Sequence, residues 1–514
     1  MKSFFALLLL AVLYSFGCST QEPKSALIYG INQAPVSLDP ATVSDLVYYQ
    51  IAFNIFETLI AWDWERDEFV PRLAASWQSD SAGLRWTFKL RPGVVFHDGS
   101  PFNAEAVKIS FERQFDFRSP YFRPGVTDKY GPFAFSMIEE IHAVNDSTVR
   151  FILKYPYSSF LDNLATPYFS SIMSPPALKK AGKNFGRQPV GTGPFQFVRW
   201  ETDRQIMLEK FQRYWSKPAQ VDSAIYQIIP SLERKLEMLQ TGKLDVISGV
   251  SATSVNMLYH QKNVKVVTET LLATAVIGFN CQNHPFDNPN VRRAVAQALD
   301  KKSIVFSLSR GLATVAHGPL PPLSNGYNST LISPAYDPLA AKKLLESSGY
   351  PNGLTVKMGF ISQTDTLRAD PLVVAIQSYL EKIGITVELV RYPDWTTYHA
   401  AVFVDGKVHL FREGLPVFNR HPDSFLYSHF HSKSPRNYFH YQNPEVDRWL
   451  EQARRMQDQP LRRQLYGKVQ EIILRETPAI FLSHPKVVYV TRAGVKNFKI
   501  DPLAIPQLNE VSLE

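Results

Sequence analysis

The feature that most constrains this chain is that none of its apolar stretches is long enough to cross a bilayer, which needs about 20 residues. The apolar run at residues 4–14 follows a positively charged Lys2 and ends shortly before Cys18. A run of that length with those flanks is typical of a secretory signal peptide, which we predict at residues 1–17. The remaining chain must therefore bury its apolar side chains within its own fold.

Cys18 is one of only two cysteines in the chain, and it directly follows the small residue Gly17. This arrangement resembles a bacterial lipoprotein signal, in which the cysteine carries lipid after cleavage, and residues 18–25 would then form a flexible tether. The alternative is an ordinary signal peptide followed by an incidental cysteine. Lipid on Cys18 leaves Cys281 without a partner, so we expect no disulfide and a small core residue at the end of a strand.

Composition indicates a globular protein, because 45% of the residues are hydrophobic and 20% are charged. A length of 514 residues fits two or three domains of about 100–200 residues each. The 55 Lys and Arg residues outnumber the 47 Asp and Glu residues, but they are scattered along the chain. Nucleic-acid binding requires a basic stripe or patch, so we expect no nucleic-acid partner.

The segment 85–111 has the pattern of a strand, a turn and a helix. Trp86, Phe88 and Leu90 alternate with polar residues, which is typical of a half-buried strand. An Asp-Gly pair then indicates a turn, and Asn103 is placed to cap a helix. We expect that helix to bury Ala106, Val107, Ser110 and Phe111.

The second half of the chain alternates helical and extended patterns. Helices are predicted at residues 337–349 and 369–384, and strands follow them at 354–361 and 385–392. A single long helix is predicted at residues 288–309. This alternation indicates an α/β fold.

Searching for catalytic patterns finds no His-Glu-x-x-His helix, no Gly-x-Ser-x-Gly turn and no phosphate loop. Ser483 and Lys486 match Ser-x-x-Lys, but Pro485 lies between them and the flanking residues have a strand pattern. The motif needs a helical turn, which proline opposes. We therefore expect no catalytic residue and no enzymatic activity.

Histidines cluster late in the chain, but their spacing matches no helical metal-binding pair, and no cysteine or acidic cluster accompanies them. We expect neither a metal site nor a cofactor. The histidines are His409, His421, His429, His431 and His440.

Residues 412–423 mix charged, aromatic and loop-forming side chains directly after a strand-like segment. Loops held by a rigid scaffold concentrate ligand contacts, so this segment is a candidate binding loop. A solvated surface loop is the alternative at this point.

Several stretches together resemble the extracellular solute-binding proteins of the peptide/nickel type, which are the receptors of ABC importers (solute-binding family 5). They occur in the family's order and cover nearly the whole chain after the signal. The stretches are SLDPATVSD, WTFKLRPGVVFHDGSPFNAEAVKISFER, VGTGPFQF, FNCQNHPFDNPNVRRAVAQALDKKSIV, AYDPLAAKKLLESSGYPNG, NPEVDRWLEQAR and the closing VSLE.

The resemblance implies an α/β, two-lobed periplasmic-binding-protein-like fold of the cluster C type, with an extra subdomain inserted in the first lobe. The lobes would close over a ligand by a hinge motion. Lobe I would comprise residues 26–50, 196–270 and 484–514, the extra subdomain residues 51–195, and lobe II residues 271–483.

The resemblance also implies partners and a location. An ABC permease and its ATPase would receive the solute, and lipid on Cys18 would hold the receptor, as a monomer, at the membrane in the periplasm or on the cell surface. The expected cargo is a peptide or a peptide-like solute. Alternatives are a non-peptide ligand (a metal chelate, haem, an opine or an oligosaccharide) and a transporter-independent sensor or chaperone-like receptor.

Peptide binders of this family hold a free amino terminus with an aspartate in a Gly-Trp-x-x-Asp loop that precedes Asp-Pro. Aligned from Gly414, this chain has Leu415 for the tryptophan, Phe418 for the aspartate and His421 for the aspartate before the proline. Arg412 matches a position where some members have a carboxylate-binding arginine. Trp395 matches an aromatic wall residue.

These matches give the expected ligand-binding residues. A pocket with a cation and no anion at the amine position should prefer an anionic or neutral ligand, unless Asp423, Glu413 or Glu57 supplies the missing charge. The expected residues are Trp395, Arg412, Leu415, Phe418, Asn419, His421, Asp423 and Asn437.

Overall fold

The computed structural model describes residues 25–42, 46–127, 131–362 and 370–514. Within these residues, twelve strands form one mixed sheet, and smaller sheets accompany it. The same residues contain no helix that is both long and apolar enough to cross a membrane. The predicted signal peptide and Cys18 lie outside the described residues.

The strands are β1 (Ala26–Ile31), β2 (Ile60–Asp63), β3 (Glu68–Pro71), β4 (Ala74–Ser79), β5 (Arg85–Leu90), β6 (Ile138–Asn145), β7 (Thr148–Leu153), β8 (Phe195–Glu201), β9 (Gln205–Lys210), β10 (Ser223–Ile228), β11 (Val246–Ser248), β12 (Val264–Thr270), β13 (Ala273–Phe279), β14 (Ala313–Val315), β15 (Leu354–Ile361), β16 (Ile385–Tyr392), β17 (Leu410–Pro416), β18 (Ala479–Arg492), β19 (Val495–Lys496), β20 (Lys499–Ile500), β21 (Pro506–Gln507) and β22 (Ser512–Leu513).

The α-helices are α1 (Leu46–Ala52), α2 (Ala104–Glu112), α3 (Gly131–Ala134), α4 (Phe160–Leu164), α5 (Pro167–Ser170), α6 (Pro175–Ala181), α7 (Leu232–Gln240), α8 (Ala252–Leu258), α9 (Pro289–Ala298), α10 (Lys301–Ser309), α11 (Pro338–Ser347), α12 (Pro371–Glu381), α13 (Trp395–His399), α14 (Pro422–Phe430), α15 (Pro444–Arg455) and α16 (Gln459–Glu476). A 3₁₀ turn covers Gly182–Arg187, and a π turn covers Ala400–Val404.

The long strand β18 joins the two halves of the large sheet. Its first part pairs with β13 as far as Ser483, and its second part pairs with β12 from Lys486 onward. Strands β1, β8–β11 and β12 lie on one side of this change of partner, and β13–β17 lie on the other. We call the first side, together with the sheet β4–β7, lobe I and the second side lobe II.

The four-stranded antiparallel sheet β4-β5-β7-β6 belongs to the segment inserted after α1. Here the predicted strand, turn and helix are confirmed. Phe88 and Leu90 are buried in β5, and Asn103 caps α2 by accepting a hydrogen bond from the Ala106 backbone N–H at 3.0 Å. The buried face of α2 includes Val107 and Phe111, because apolar residues recur at helical spacing.

The Gly-Thr-Gly stretch at residues 191–193 packs tightly against the end of α1. Added Cβ atoms on Gly191 and Gly193 would collide with the Ile55 backbone carbonyl, so the close approach requires glycine at both positions. Thr192 between them donates a hydrogen bond to Glu57 at 2.9 Å. The stretch therefore fixes the wall of lobe I on which Glu57 lies.

In lobe II the predicted alternation of helices and strands is confirmed, since β15 and β16 pair in parallel around α12. The single helix predicted at 288–309 is wrong, because α9 ends at Ala298 and α10 begins at Lys301. Asp300 accepts a hydrogen bond from the Ser303 backbone N–H at 3.0 Å and so caps a new helix. Cys281, just beyond β13, is half-buried, and burial raises the pKa of its thiol to about 12.

Candidate functional site

The segment from β17 to α14 carries most of the predicted site residues to the place where the two lobes meet. Strand β17 pairs with β13, and Pro416 ends it. Residues 417–421 then connect β17 to α14, whose N-cap is His421. The segment therefore begins on the sheet of lobe II and crosses to contacts with lobe I.

Arg412 and Trp395 lie on the exposed side of lobe II. Arg412 projects from β17 and forms an ion pair with Asp370, the N-cap of α12. Trp395 begins α13, is about half exposed, and its ring lies 5.9 Å from Tyr398 and 6.0 Å from Phe403. Arg412 is therefore already paired with a carboxylate, while Trp395 offers an aromatic face to the solvent.

Leu415 and Asn437 point into the protein rather than toward an open surface. Leu415 is 1% exposed on β17, opposite Thr274 of β13. Asn437 is 8% exposed, and its amide donates to the Tyr441 carbonyl at 2.7 Å while accepting from the Tyr441 N–H at 3.2 Å. Both residues support the fold of the segment in this arrangement.

Phe418 fills the position that the family resemblance assigns to an amine-binding aspartate. Its side chain is 5% exposed and packs against rings from lobe I, with centroids 5.7 Å from Tyr168, 6.1 Å from Phe169 and 6.3 Å from Phe133. Thr166 of lobe I also donates to the Phe418 carbonyl at 3.4 Å. An aromatic cluster thus joins the lobes where a carboxylate would be needed to hold an ammonium group.

Arg436 lies over this aromatic cluster and was not identified from the sequence. Its guanidinium is 4.5 Å from the centre of the Phe418 ring and 6.0 Å from the Phe133 ring. Among the residues that the structure describes, no carboxylate forms an ion pair with Arg436 within 4.0 Å, and its guanidinium acts at longer range on Glu413 of β17, where it partly offsets the rise in the carboxyl pKa. The Phe418 position therefore has a cation beside it and no direct anion.

Asp423 is fully buried and engaged at the lobe interface. It accepts hydrogen bonds from Tyr157 of lobe I at 2.7 Å, from Arg454 at 2.8 Å and from Tyr466 at 3.3 Å. Burial alone would raise the pKa of the Asp423 carboxyl, but Arg454 and the other donors hold it below its usual value. This carboxylate therefore anchors the start of α14 across both lobes.

His421 lies beside this anchor and is neutral. Its Nδ1 accepts a hydrogen bond from the Asp423 N–H at 3.2 Å, and its ring is 2% exposed. Burial lowers the pKa of the imidazole to about 3, and nearby guanidinium groups oppose the stabilisation of the charged ring by Asp423. His421 therefore supplies a helix cap and no charge.

Two other carboxylates were candidates for the missing anion. Glu57 accepts hydrogen bonds from Thr192 at 2.9 Å, Tyr214 at 2.9 Å and Trp215 at 2.8 Å. Glu413 on β17 is half-buried, and burial raises the pKa of its carboxyl to about 7. At neutral pH, Glu413 is thus only partly ionised, and Glu57 is held by three donors.

Asn419 and Arg420 contact lobe I at residues other than the rings around Phe418. Asn419 donates to the Asn163 side chain at 2.9 Å. Arg420 forms an ion pair with Asp67 at 2.6 Å, and its guanidinium stacks on the Trp62 ring at 3.6 Å. The sequence singled out Asn419 but gave no signal for Arg420, because its partners are about 350 residues away along the chain.

Comparisons with known proteins match this chain over most of its length. The family model described as "Bacterial extracellular solute-binding proteins, family 5 Middle" matches residues 68–437. The glutathione-binding protein GsiB of Pectobacterium atrosepticum is 32% identical over 490 residues, covering 93% of this chain and 92% of that protein.

Two solved structures have the same fold over nearly their whole length. The Helicobacter pylori periplasmic binding protein DppA, in complex with the peptide STSA, has a TM-score of 0.83 at 32% identity and covers 95% of this chain and 98% of its own. A dipeptide-binding protein from Pseudoalteromonas, in complex with Met-Leu, has a TM-score of 0.85 at 28% identity and covers 95% and 100%. The chain belongs to the bacterial extracellular solute-binding proteins of family 5.

Proposed function

We propose that the cleft between the lobes captures a peptide-like solute that presents an anionic or blocked end group, rather than a free ammonium, to Phe418. The observation that carries this proposal is the guanidinium of Arg436 lying 4.5 Å above the Phe418 ring. Among the described residues, an ammonium at this position would have no carboxylate within 4.0 Å of Arg436 or stacked beside the Phe418 ring, and leaving a buried charge unpaired costs several kcal/mol.

A carboxylate fits the same position better. The guanidinium of Arg436 presents planar N–H donors that match a carboxylate, and such charge-assisted bonds are about twice as strong as neutral ones. The Phe418, Phe133 and Tyr168 rings offer an apolar surface beside it. A solute with an acyl or acidic group at one end would use both features.

The peptide-like class is supported by the relatives. Proteins that share nearly the full length of this chain are named for binding glutathione and dipeptides, and one was solved with a four-residue peptide. We place the hinge of lobe closure between residues 270 and 271 and between 483 and 484. Support comes from β18, which changes partners at this point.

The receptor would deliver its solute to an ABC permease and ATPase, without chemical change, as a monomer. A relative of this chain is described as ABC transporter-associated. Lipid on Cys18 would hold it at the membrane. Mass spectrometry of the mature amino-terminal peptide checks this point, and an unmodified Cys18 or cleavage elsewhere would contradict it.

Native mass spectrometry of the protein purified from its own cells tests the proposed ligand class. We expect a co-purifying solute that lacks a free α-amino group or carries an acidic group at that end. A simple peptide with an unmodified amino terminus would contradict the proposal.

A further inference from the structure

A second cavity lies on the side of the 418–420 segment opposite the Phe418 ring. Its walls come from residues 53–72, 162–167 and 501–509 of lobe I, and Asn419 and Arg420 cover it from lobe II. Its volume is about 180 Å³. An engineered cavity of about 150 Å³ binds benzene, so this space admits a ring-sized molecule. We call it the Arg420 cavity.

The Arg420 cavity is separate from the cleft described above. The rings that surround Phe418, namely Phe133, Tyr168 and Phe169, do not line it. Instead, the neighbouring Thr166 lines it and donates to the Phe418 backbone carbonyl. The backbone at Phe418 therefore lies between the two spaces.

Aromatic side chains and charged groups both line the cavity. The aromatic wall includes Trp62, Trp64 and Phe69. Among the described residues, the lining holds three carboxylates, two guanidinium groups and no lysine or histidine. The acidic groups are therefore in excess.

One of the two arginines in the lining, Arg420, already has an ion pair, whereas Arg72 forms none within 4.0 Å among the described residues and acts on Glu57 at longer range. Arg420 pairs with Asp67 at 2.6 Å, outside the lining. Arg72 stabilises the charge of Glu57, which also accepts hydrogen bonds from three side chains. Asp501 accepts hydrogen bonds from two backbone N–H groups, at 2.9 and 3.0 Å.

Asp162 is the carboxylate left without a close partner. Asp162 is 8% exposed, and among the described residues no side chain donates a hydrogen bond to its carboxylate. The nearest cation, Arg420, is 4.0 Å away and directed at Asp67. Burial raises the pKa of the Asp162 carboxyl to about 7, because Arg420 and the more distant Arg462 compensate only part of the desolvation.

We propose that the Arg420 cavity is a second ligand site that binds a small organic ammonium ion, with the charge of the ion at Asp162 and its apolar part against the tryptophans. A buried carboxylate whose nearest cation is 4.0 Å away and is shared with another carboxylate gains from a cationic ligand in direct contact. Trp62 and Trp64 supply the aromatic surface that an organic cation favours. The site is independent of the ligand class proposed for the cleft.

Calorimetry of the full mature protein with benzylammonium, benzyl alcohol and benzoate tests the site. The three probes have nearly the same size and differ in charge. We expect benzylammonium to bind, benzyl alcohol to bind about ten- to hundredfold more weakly, and benzoate not to bind, since a hydrogen bond to a charged group is worth roughly that factor. This comparison needs no variant.

The variant Asp162→Asn assigns the binding to the cavity. It keeps the size of the side chain, and we expect it to weaken benzylammonium binding by about ten- to hundredfold. Asp146→Asn is the matched control, because Asp146 is an exposed carboxylate of the same inserted segment, and it should leave binding unchanged. No heat with benzylammonium at millimolar concentration, equal binding of the alcohol, or unchanged binding in Asp162→Asn would each overturn the proposal.

Discussion

The two sides of the segment 418–420 differ in which charged group of the described residues has no close partner: a guanidinium on one side and a carboxylate on the other. On the cleft side, Arg436 lies over Phe418 with no carboxylate at ion-pair distance among the described residues. On the cavity side, the nearest cation to Asp162 among the described residues is the Arg420 guanidinium at 4.0 Å. Within the described part of the chain, one short stretch therefore lies near a cation without an ion pair, Arg436, and near a carboxylate with only a distant cation, Asp162.

This difference teaches that a binding residue cannot be assigned from its own position alone. Phe418 was identified because an aspartate is expected there, but the charge at that position comes from Arg436. Likewise, Arg420 covers the cavity while its charge is taken up by Asp67. In both places the local electrostatic potential depends on which charged side chains remain without an ion pair once the shorter pairs have formed.

The largest expected effect follows from removing Asp423, the buried carboxylate that holds the start of α14 to both lobes. Asp423→Ala leaves Arg454 buried without its carboxylate and removes the bond to Tyr157 across the lobes. We expect a loss of about 3–5 kcal/mol in the free energy of unfolding, measured by urea denaturation. Asp146→Ala, at an exposed carboxylate, should change it by less than about 0.5 kcal/mol. A loss below about 1 kcal/mol in Asp423→Ala would contradict the anchoring role.

Reversing the charge beside position 418 should make the cleft prefer a free amino terminus over an anionic end group. The double variant Phe418→Asp/Arg436→Gln supplies the carboxylate and removes the competing guanidinium. We expect trialanine with a free amino terminus to bind about ten- to hundredfold more tightly than to the wild type, because a charge-assisted hydrogen bond forms. Unchanged affinity in a correctly folded variant, checked by circular dichroism, would show that Phe418 does not face the ligand.

Removing only the cation should have a smaller effect in the opposite direction. Arg436→Gln is expected to weaken the binding of N-succinyl-trialanine about tenfold, as measured by calorimetry. Arg448→Gln is the matched control, since Arg448 also stacks on an aromatic ring, 4.7 Å from Trp449, but lies outside the cleft. Equal losses in the two variants would remove the specific role of Arg436.

The smallest expected effect concerns the pH dependence on the cavity side. Because the pKa of Asp162 is raised to about 7, the folded protein keeps a proton that the unfolded chain releases above about pH 4, so stability falls as pH rises toward 7. The variant Asp162→Asn has no carboxyl group to titrate at this position, so its stability does not fall with pH for this reason. We therefore expect the melting temperature of the variant minus that of the wild type to increase by about 1–3 °C from pH 5 to pH 8. A pH-independent difference would contradict the assignment.

Much of the fold could be predicted from local patterns. The alternation in β5, the Asn103 cap of α2 and the parallel pair β15–β16 depend on residues close in sequence. The break between α9 and α10 was missed, because the capping of α10 by Asp300 competes with a helical pattern that continues through it.

The site was less predictable, because its character depends on distant pairings. From the sequence, Asp423 is a candidate ligand group. In the structure its carboxylate already accepts hydrogen bonds from Arg454 and from Tyr157, which is 266 residues away. Asp162 and Arg420 carry no sequence signal, and only folding brings them together. Departures from a family motif therefore indicated where to look, but not which charge would be present.

Calorimetry with three forms of trialanine tests the central claim most directly. The forms carry a free amino terminus, an N-acetyl group or an N-succinyl group, and so present a cation, a neutral group or an anion at the same end. We expect the succinyl form to bind most tightly, the acetyl form less tightly and the free-amine form most weakly, with about tenfold or more between the extremes. Tightest binding of the free-amine form would contradict the account.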